Sequence, residues 1–311
     1  MPPAVSPDDL SAHGLATGDR DALRKRILTA WDSFLGLAEQ ADLTQPSRLP
    51  GWTGRDVVAH LGAWETTPLA RVLASARAGA AGRPPNADQD NARVLAAQAG
   101  ASTAEVLAAG YRARDAVAEF LGSPAEDEWG LSPALAAVGP LPVLTIVHAG
   151  AYELAVHALD LAPCGAPAAP PELLLAGVAA LVDVTGALAA RTGRVAAATV
   201  QTPDGGWYGS APVGPHGWRT EAVPPGPVSG PALFGTAADL LDASAGRVFV
   251  PQLLASRRIR LQEVGRLLTL TPILSEVPGI PGRAAMIIAA RSLSTVSGAL
   301  GRLGRLPGWP G

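Results

Sequence analysis

Glu153, His157 and Asp160 lie in the apolar stretch from Leu141 to Ala162, where a packed helix would carry no charge. At roughly 100° per residue the three fall within about 60° of one another on one helical face. Their neighbours Leu154, Ala155, Val156, Ala158, Leu159 and Leu161 are suited to packing. A carboxylate drawn out of water by such neighbours needs a cation or a hydrogen-bond network. A divalent metal ion meets that need. Glu153 and His157 are one turn apart and supply two ligands, so a third must come from elsewhere in the chain, and His60 is the candidate. Two imidazoles and one carboxylate leave the fourth position of a zinc ion open, which separates a catalytic site from a closed structural one. The competing readings are a solvated i,i+4 pair and a structural metal with Asp160 as fourth ligand. His148 lies about 140° from Glu153 on the same wheel and pairs with Tyr152, one turn on.

The elements that must position these residues are helices. Leu23, Ile27, Trp31, Phe34 and Ala38 recur at helical spacing, predicting a helix from Asp19 to about Asp42. Pro46 to Trp52 forms a rigid turn, and Thr53 with Asp56 has the form of a capping box that opens a second helix. Along that helix Asp56, His60, Trp64 and Thr67 are expected to share a face, so that Asp56 can accept the second N–H of His60 and fix its tautomer. Residues 79–86 read as a loop and 87–100 as at most a short helix. Ser102 and Glu105 form a second capping box, opening a helix that stops at Gly122, and Ser123 to Gly139 reads mostly as loop. Pro142 begins the fourth long helix. Four amphipathic helices with polar residues on facing sides are the pattern of a bundle with an internal site.

The segment between Leu161 and Pro171 reads as a linker. Beyond it we expect a helix at Glu172 to Thr192. Short strands follow at Val195 to Thr202, Gly206 to Ala211, Gly217 to Val223 and Pro227 to Ser229, then a helix at Ser229 to Ala245. The division is 1–165 for a helical metal-binding domain, 166–265 for a smaller α+β domain, and 266–311 for an apolar extension with scattered arginines. Residues 283–303 of that extension form its helical part.

The chain has 311 residues, 48% hydrophobic and 16% charged, enough for two domains with real cores. A formal charge of -3 and a pI near 6.0 give no footprint for nucleic acid. Cys164 is the single cysteine, so an internal disulfide is excluded, and without a basic neighbour it is no nucleophile. The N-terminus lacks the order of a signal peptide, and a membrane span over 141–162 would have to carry two histidines and two carboxylates. A cytoplasmic location without a transmembrane segment is expected.

Leu49 to Glu65, together with Tyr152 to Asp160, resembles the mycothiol-dependent maleylpyruvate isomerase family. Ser229 to Arg247 is similar to that family's C-terminal domain. The resemblance covers roughly residues 20–265. It implies a multidomain α and α+β protein: an N-terminal DinB-like four-helix bundle followed by a smaller α/β sterol-carrier-like domain. It also implies that His60, Glu153 and His157 hold a divalent metal, zinc first, with mycothiol as thiol cosubstrate. Where the family has a His before the Glu position this chain has Tyr152, and the tail after Gly265 departs as well.

A thiol on such an ion loses its proton near neutral pH. On this resemblance the thiolate adds to an electrophilic double bond; elimination after rotation gives cis-trans isomerisation, and retention of the adduct gives S-transfer. The partners are then a small-molecule electrophile and a low-molecular-weight thiol, with Trp52, Trp64 and Tyr152 as pocket walls and Asp56 and Asp160 behind the ligands. No catalytic residue beyond the metal-bound thiol is assigned. Oligomerisation through the C-terminal extension fits its apolar character. The alternative from another class is a non-catalytic lipid- or partner-binding protein built on the C-terminal domain and tail.

Overall fold

The computed structural model describes residues 12–214 and 216–267. The helix expected over 283–303, and the extension that carries it from residue 268 on, lie outside the described residues.

The first half is helical. α1 (Arg20–Gln40) is capped by Asp19, which accepts from the Ala22 N–H, and it buries Leu23, Ile27, Trp31, Phe34 and Ala38 on one face. α2 (Gly54–Leu61) opens with the expected capping box between Thr53 and Asp56. It ends sooner than the sequence suggests. Gly62 turns extended, and the next backbone N–H, that of Ala63, donates to Ala109 O. A Cβ on Gly62 would lie 2.9 Å from the Ala109 side chain, so the chain can turn here only because this position is bare. Trp64 and Thr67 are therefore off the helix, and Thr67 instead caps α3 (Pro68–Arg77). α4 (Ala87–Ala97) buries no residue, and α5 (Thr103–Phe120) begins at the Ser102–Glu105 capping box.

The loop expected at 123–139 is partly ordered as α6 (Pro124–Trp129) and a hairpin of β1 (Pro133–Ala136) and β2 (Gly139–Pro142). α6 brings in Glu126, whose fully buried carboxylate is held by Arg20, Arg24 and the Gly122 N–H. α7 (Val143–Asp160) follows directly from Pro142.

The second half is α+β. α8 (Pro171–Arg191) is long and apolar enough to cross a bilayer, but 72% of its most apolar window is buried, as in a core helix. A five-stranded sheet has the order β5-β4-β3-β6-β7, built from β3 (Ala196–Thr202), β4 (Gly205–Val213), β5 (Gly217–Val223), β6 (Ala232–Phe234) and β7 (Arg260–Gln262). Neighbours pair antiparallel except β3 with β6, which run parallel. The strand expected at 227–229 is displaced to β6. The helix expected over 229–245 is reduced to α9 (Ala237–Ser244), because Pro231 and Gly235 interrupt it. α10 (Val250–Ala255) and α11 (Val264–Leu267) complete the described chain.

One cluster of buried side chains takes in Phe34 of α1, Val57 of α2, Val106 of α5, Leu154 of α7, Leu173 of α8 and Leu241 of α9. The helices that carry the site and the helices after the 161–171 segment thus share a core. Buried Ala190, Ala211 and Trp218 form a smaller cluster of α8 with the sheet.

Candidate metal centre

His60 reaches the C-terminal half of α7 because the turn before α2 is fastened to the end of α7. The Arg48 N–H donates to Asp160 O and the Asp42 N–H to Cys164 O. Gly54, the first residue of α2, sits so close that a Cβ there would be 2.9 Å from Cys164 Sγ. Cys164 is buried, and burial pushes its thiol pKa up, which suits packing and not nucleophilic work.

With α2 anchored this way, one ligand atom each from His60, Glu153 and His157 lies within 4.8 Å of the other two. The imidazole rings of His60 and His157 are 4.5 Å apart, edge to face. Glu153 Oε2 is 3.5 Å from His157 Nε2, already close to the ligand–ligand separation of about 3.4 Å around a tetrahedral ion with bonds of about 2.1 Å.

Both imidazoles are oriented from behind. His60 Nδ1–H donates to Val57 O at 2.8 Å, and His157 Nδ1–H donates to Asp160 Oδ2 at 3.0 Å. These acceptors fix the proton on Nδ1 and leave each Nε2 lone pair for a ligand. Asp160 is fully buried, and Arg247 grips it at 3.1 Å from Nε and 2.9 Å from Nη2. Arg48 stands 4.0 Å away and pairs with Asp242.

Electrostatics separate the two imidazoles. Burial, with His157 alongside, pulls the His60 pKa down to about 3, so His60 is neutral at any ordinary pH. Burial opposes a charge on His157 too, but its hydrogen bonds to Asp160 and Glu153 hold its pKa above the usual value. Partial burial opposes ionisation of Glu153, yet the hydrogen bond and charge of His157 keep it below the usual carboxylate range. The Glu153 side chain is 43% exposed against 7% for His157, so the site opens to solvent on the carboxylate side.

Several expectations need correction. Asp56 does not reach His60: both partners of its Oδ2 belong to Thr53, and the His60 tautomer is set by the backbone of its own helix. Trp64 shares no helical face with His60; its Nε1–H donates to Ala59 O and closes the end of α2. Trp52 does touch the site, its ring 5.3 Å from that of His60. Asp160 is occupied by His157 and Arg247, against the alternative in which it is the fourth ligand of a structural metal. Tyr152 does not pair with His148 but meets Ser244 Oγ at 3.2 Å, and burial raises its pKa. His148 faces Asp183 instead, Nδ1 to Oδ2 at 3.5 Å. Arg247 was missed. The signal was a buried Asp160 in need of a cation, but nothing in the sequence selects one arginine among many.

Residues 24–162 match the family described as "Mycothiol maleylpyruvate isomerase N-terminal domain". Over this stretch the chain is similar to the N-terminal domain of the mycothiol maleylpyruvate isomerase family. All three of His60, Glu153 and His157 fall within the matched residues, whereas Arg247 lies beyond them. Among solved structures, the chain is similar to a crystal structure of the mycothiol-dependent maleylpyruvate isomerase and to that of a histidine-to-alanine variant. The wild-type comparison has 15% identity and a TM-score of 0.45, covering 76% of this chain and 92% of the other. The variant has 18% identity and a TM-score of 0.47, covering 78% and 92%. No curated protein matches the chain by sequence.

Proposed function

We propose that this protein is a metal-dependent, mycothiol-dependent enzyme of the maleylpyruvate isomerase type, acting on a small electrophile by isomerisation or S-transfer. The observation that carries the reading is the convergence of one ring nitrogen from each of two imidazoles with one carboxylate oxygen, both imidazoles being held by acceptors on Nδ1. The donor set fits a divalent ion, zinc first, with His60, Glu153 and His157 as its ligands. Bound there, such an ion lowers the pKa of a thiol and supplies thiolate at neutral pH.

The chain's own residues do the rest. Arg247 and Asp160 hold the His157 ring, Val57 O holds the His60 ring, and Glu153 leaves the opening through which thiol and electrophile enter. Trp52 forms a wall beside His60. In this reading the chain comprises a DinB-like four-helix bundle (1–165), a sterol-carrier-like α/β domain (166–265) and an extension (266–311) that serves oligomerisation, in a cytoplasmic protein.

The test has two parts. Protein purified without chelator should carry about one divalent ion per chain, and mycothiol, not glutathione, should support isomerisation of maleylpyruvate or conjugation of an electrophile. Absence of the ion, or equal activity without a thiol, contradicts the proposal.

A further inference from the structure

The turn before α2 carries a side chain that reaches both halves of the chain. Arg48 Nη1–H donates to Leu159 O at 3.4 Å, near the C-terminal end of α7, and Nη2–H donates to Asp242 Oδ1 of α9 at 2.9 Å. Its backbone N–H is fixed to Asp160 O. The Asp242 side chain is 13% exposed, and burial pushes its pKa up against the pull of Arg48. A carboxylate this far out of water depends on the cation beside it. Arg48 and Asp242 are therefore a committed pair and not a passing surface contact.

The position of that pair gives it leverage over the metal centre. α2 is eight residues long, begins just after the turn, and carries His60 in its last turn of helix. A helix this short is a rigid arm, so a shift at its base reaches the ring at its far end. The rings of His60 and His157 stand 4.5 Å apart, while a metal site tolerates only about 0.2 Å in its bond lengths. α9 supports the other side of the same centre: Ser244 meets the Tyr152 hydroxyl, and Arg247, just past the helix, grips Asp160 behind His157.

Resting on the metal centre proposed above, we infer that Arg48 and Asp242 are positioning residues for it. Their ion pair makes α9 the support for the turn that sets His60 against His157. The second half of the chain thereby controls metal affinity, although the ligands come from α2 and α7.

Cobalt(II) binding to the full chain in competition with a chelator, read together with the ligand-field spectrum of the bound ion, tests this. Asp242→Asn and Arg48→Ala should each weaken cobalt binding by about 10- to 100-fold and alter the spectrum. The double variant should lose no more than the weaker-binding single variant, because both changes remove one pair. Asp242→Glu, which keeps the charge, should bind close to wild type. Arg258→Gln breaks a different ion pair of α9, that with Asp239, and should leave cobalt affinity and spectrum unchanged. Urea unfolding of each metal-free variant separates positioning from simple loss of stability. Single variants that are less stable but bind cobalt as wild type does, or losses that add in the double variant, overturn this inference and leave the metal reading standing. A wild-type chain that binds no cobalt overturns both.

Discussion

The two ends of α7 each bury a histidine beside an aspartate, and they are built for different purposes. Near the N-terminal end, Asp183 of α8 accepts three neutral donors through Oδ1: the Leu15 N–H at 3.1 Å, Trp218 Nε1–H at 2.9 Å and the Thr220 hydroxyl at 2.7 Å. His148 lies next to it, 1% exposed, with neither nitrogen hydrogen-bonded. Nine residues on, His157 has its Nδ1 held by Asp160, Asp160 is held in turn by Arg247, and Nε2 faces Glu153 and His60. One histidine is sealed into a core that ties the segment before α1, α8 and β5 together. The other is oriented from behind and left open in front. A buried His–Asp pair is therefore not by itself a sign of chemistry; a positioned ring with a free lone pair next to other ligand atoms is.

Substitutions at the two ends should separate these roles. His157→Ala should have the largest effect, reducing bound metal from about one ion per chain to near zero, read by elemental analysis of the purified variant. Retained metal would show that the ion does not depend on this ring. Asp183→Ala should come next: it strands the donors of Trp218, Thr220 and Leu15 and should cost about 3 kcal/mol of stability in urea unfolding, with metal content per folded chain unchanged. Loss of metal without loss of stability would merge the two regions. Arg247→Leu should be milder, weakening metal affinity by about 10- to 100-fold in a chelator competition, because Asp160 then orients His157 without its own cation.

The smallest effect is a pH dependence. The raised pKa of His157 means that a metal must displace a proton there, so affinity should fall as pH drops through that value, whereas His60, at about 3, contributes nothing in the ordinary range. In the metal-free protein, the protonated His157 stabilises the fold below the imidazole's unfolded pKa of about 6.5, and that contribution is lost as pH rises through the higher folded value. Asp160→Asn should flatten both dependences, as seen by calorimetry in buffers of different ionisation enthalpy.

The part of the site on α7 was legible in the sequence because a single continuous helix carries Glu153, His157 and Asp160, and a helical wheel holds wherever the helix does. It failed for Asp56 and Trp64 for two physical reasons. α2 stops at Leu61, so the face projected to Trp64 does not exist, and the cap residue Asp56 turns its carboxylate back to Thr53. In the second half, β3 and β5 were visible from their bounding turns. β6 was concealed because Ser229 to Arg247 has enough alanine and leucine to read as one helix despite Pro231 and Gly235. The contacts that fasten α2 to the end of α7, from Asp42, Arg48 and Gly54 to Asp160 and Cys164, span over a hundred residues and leave no local pattern.

X-ray absorption of the zinc-loaded protein tests the central claim most directly. The account predicts two imidazole nitrogens and one carboxylate oxygen at about 2.0–2.1 Å, with a fourth, exchangeable ligand that becomes sulfur at about 2.3 Å when mycothiol is added. A first shell closed by four protein ligands, or one that still contains two imidazoles in a His60→Ala variant, contradicts it.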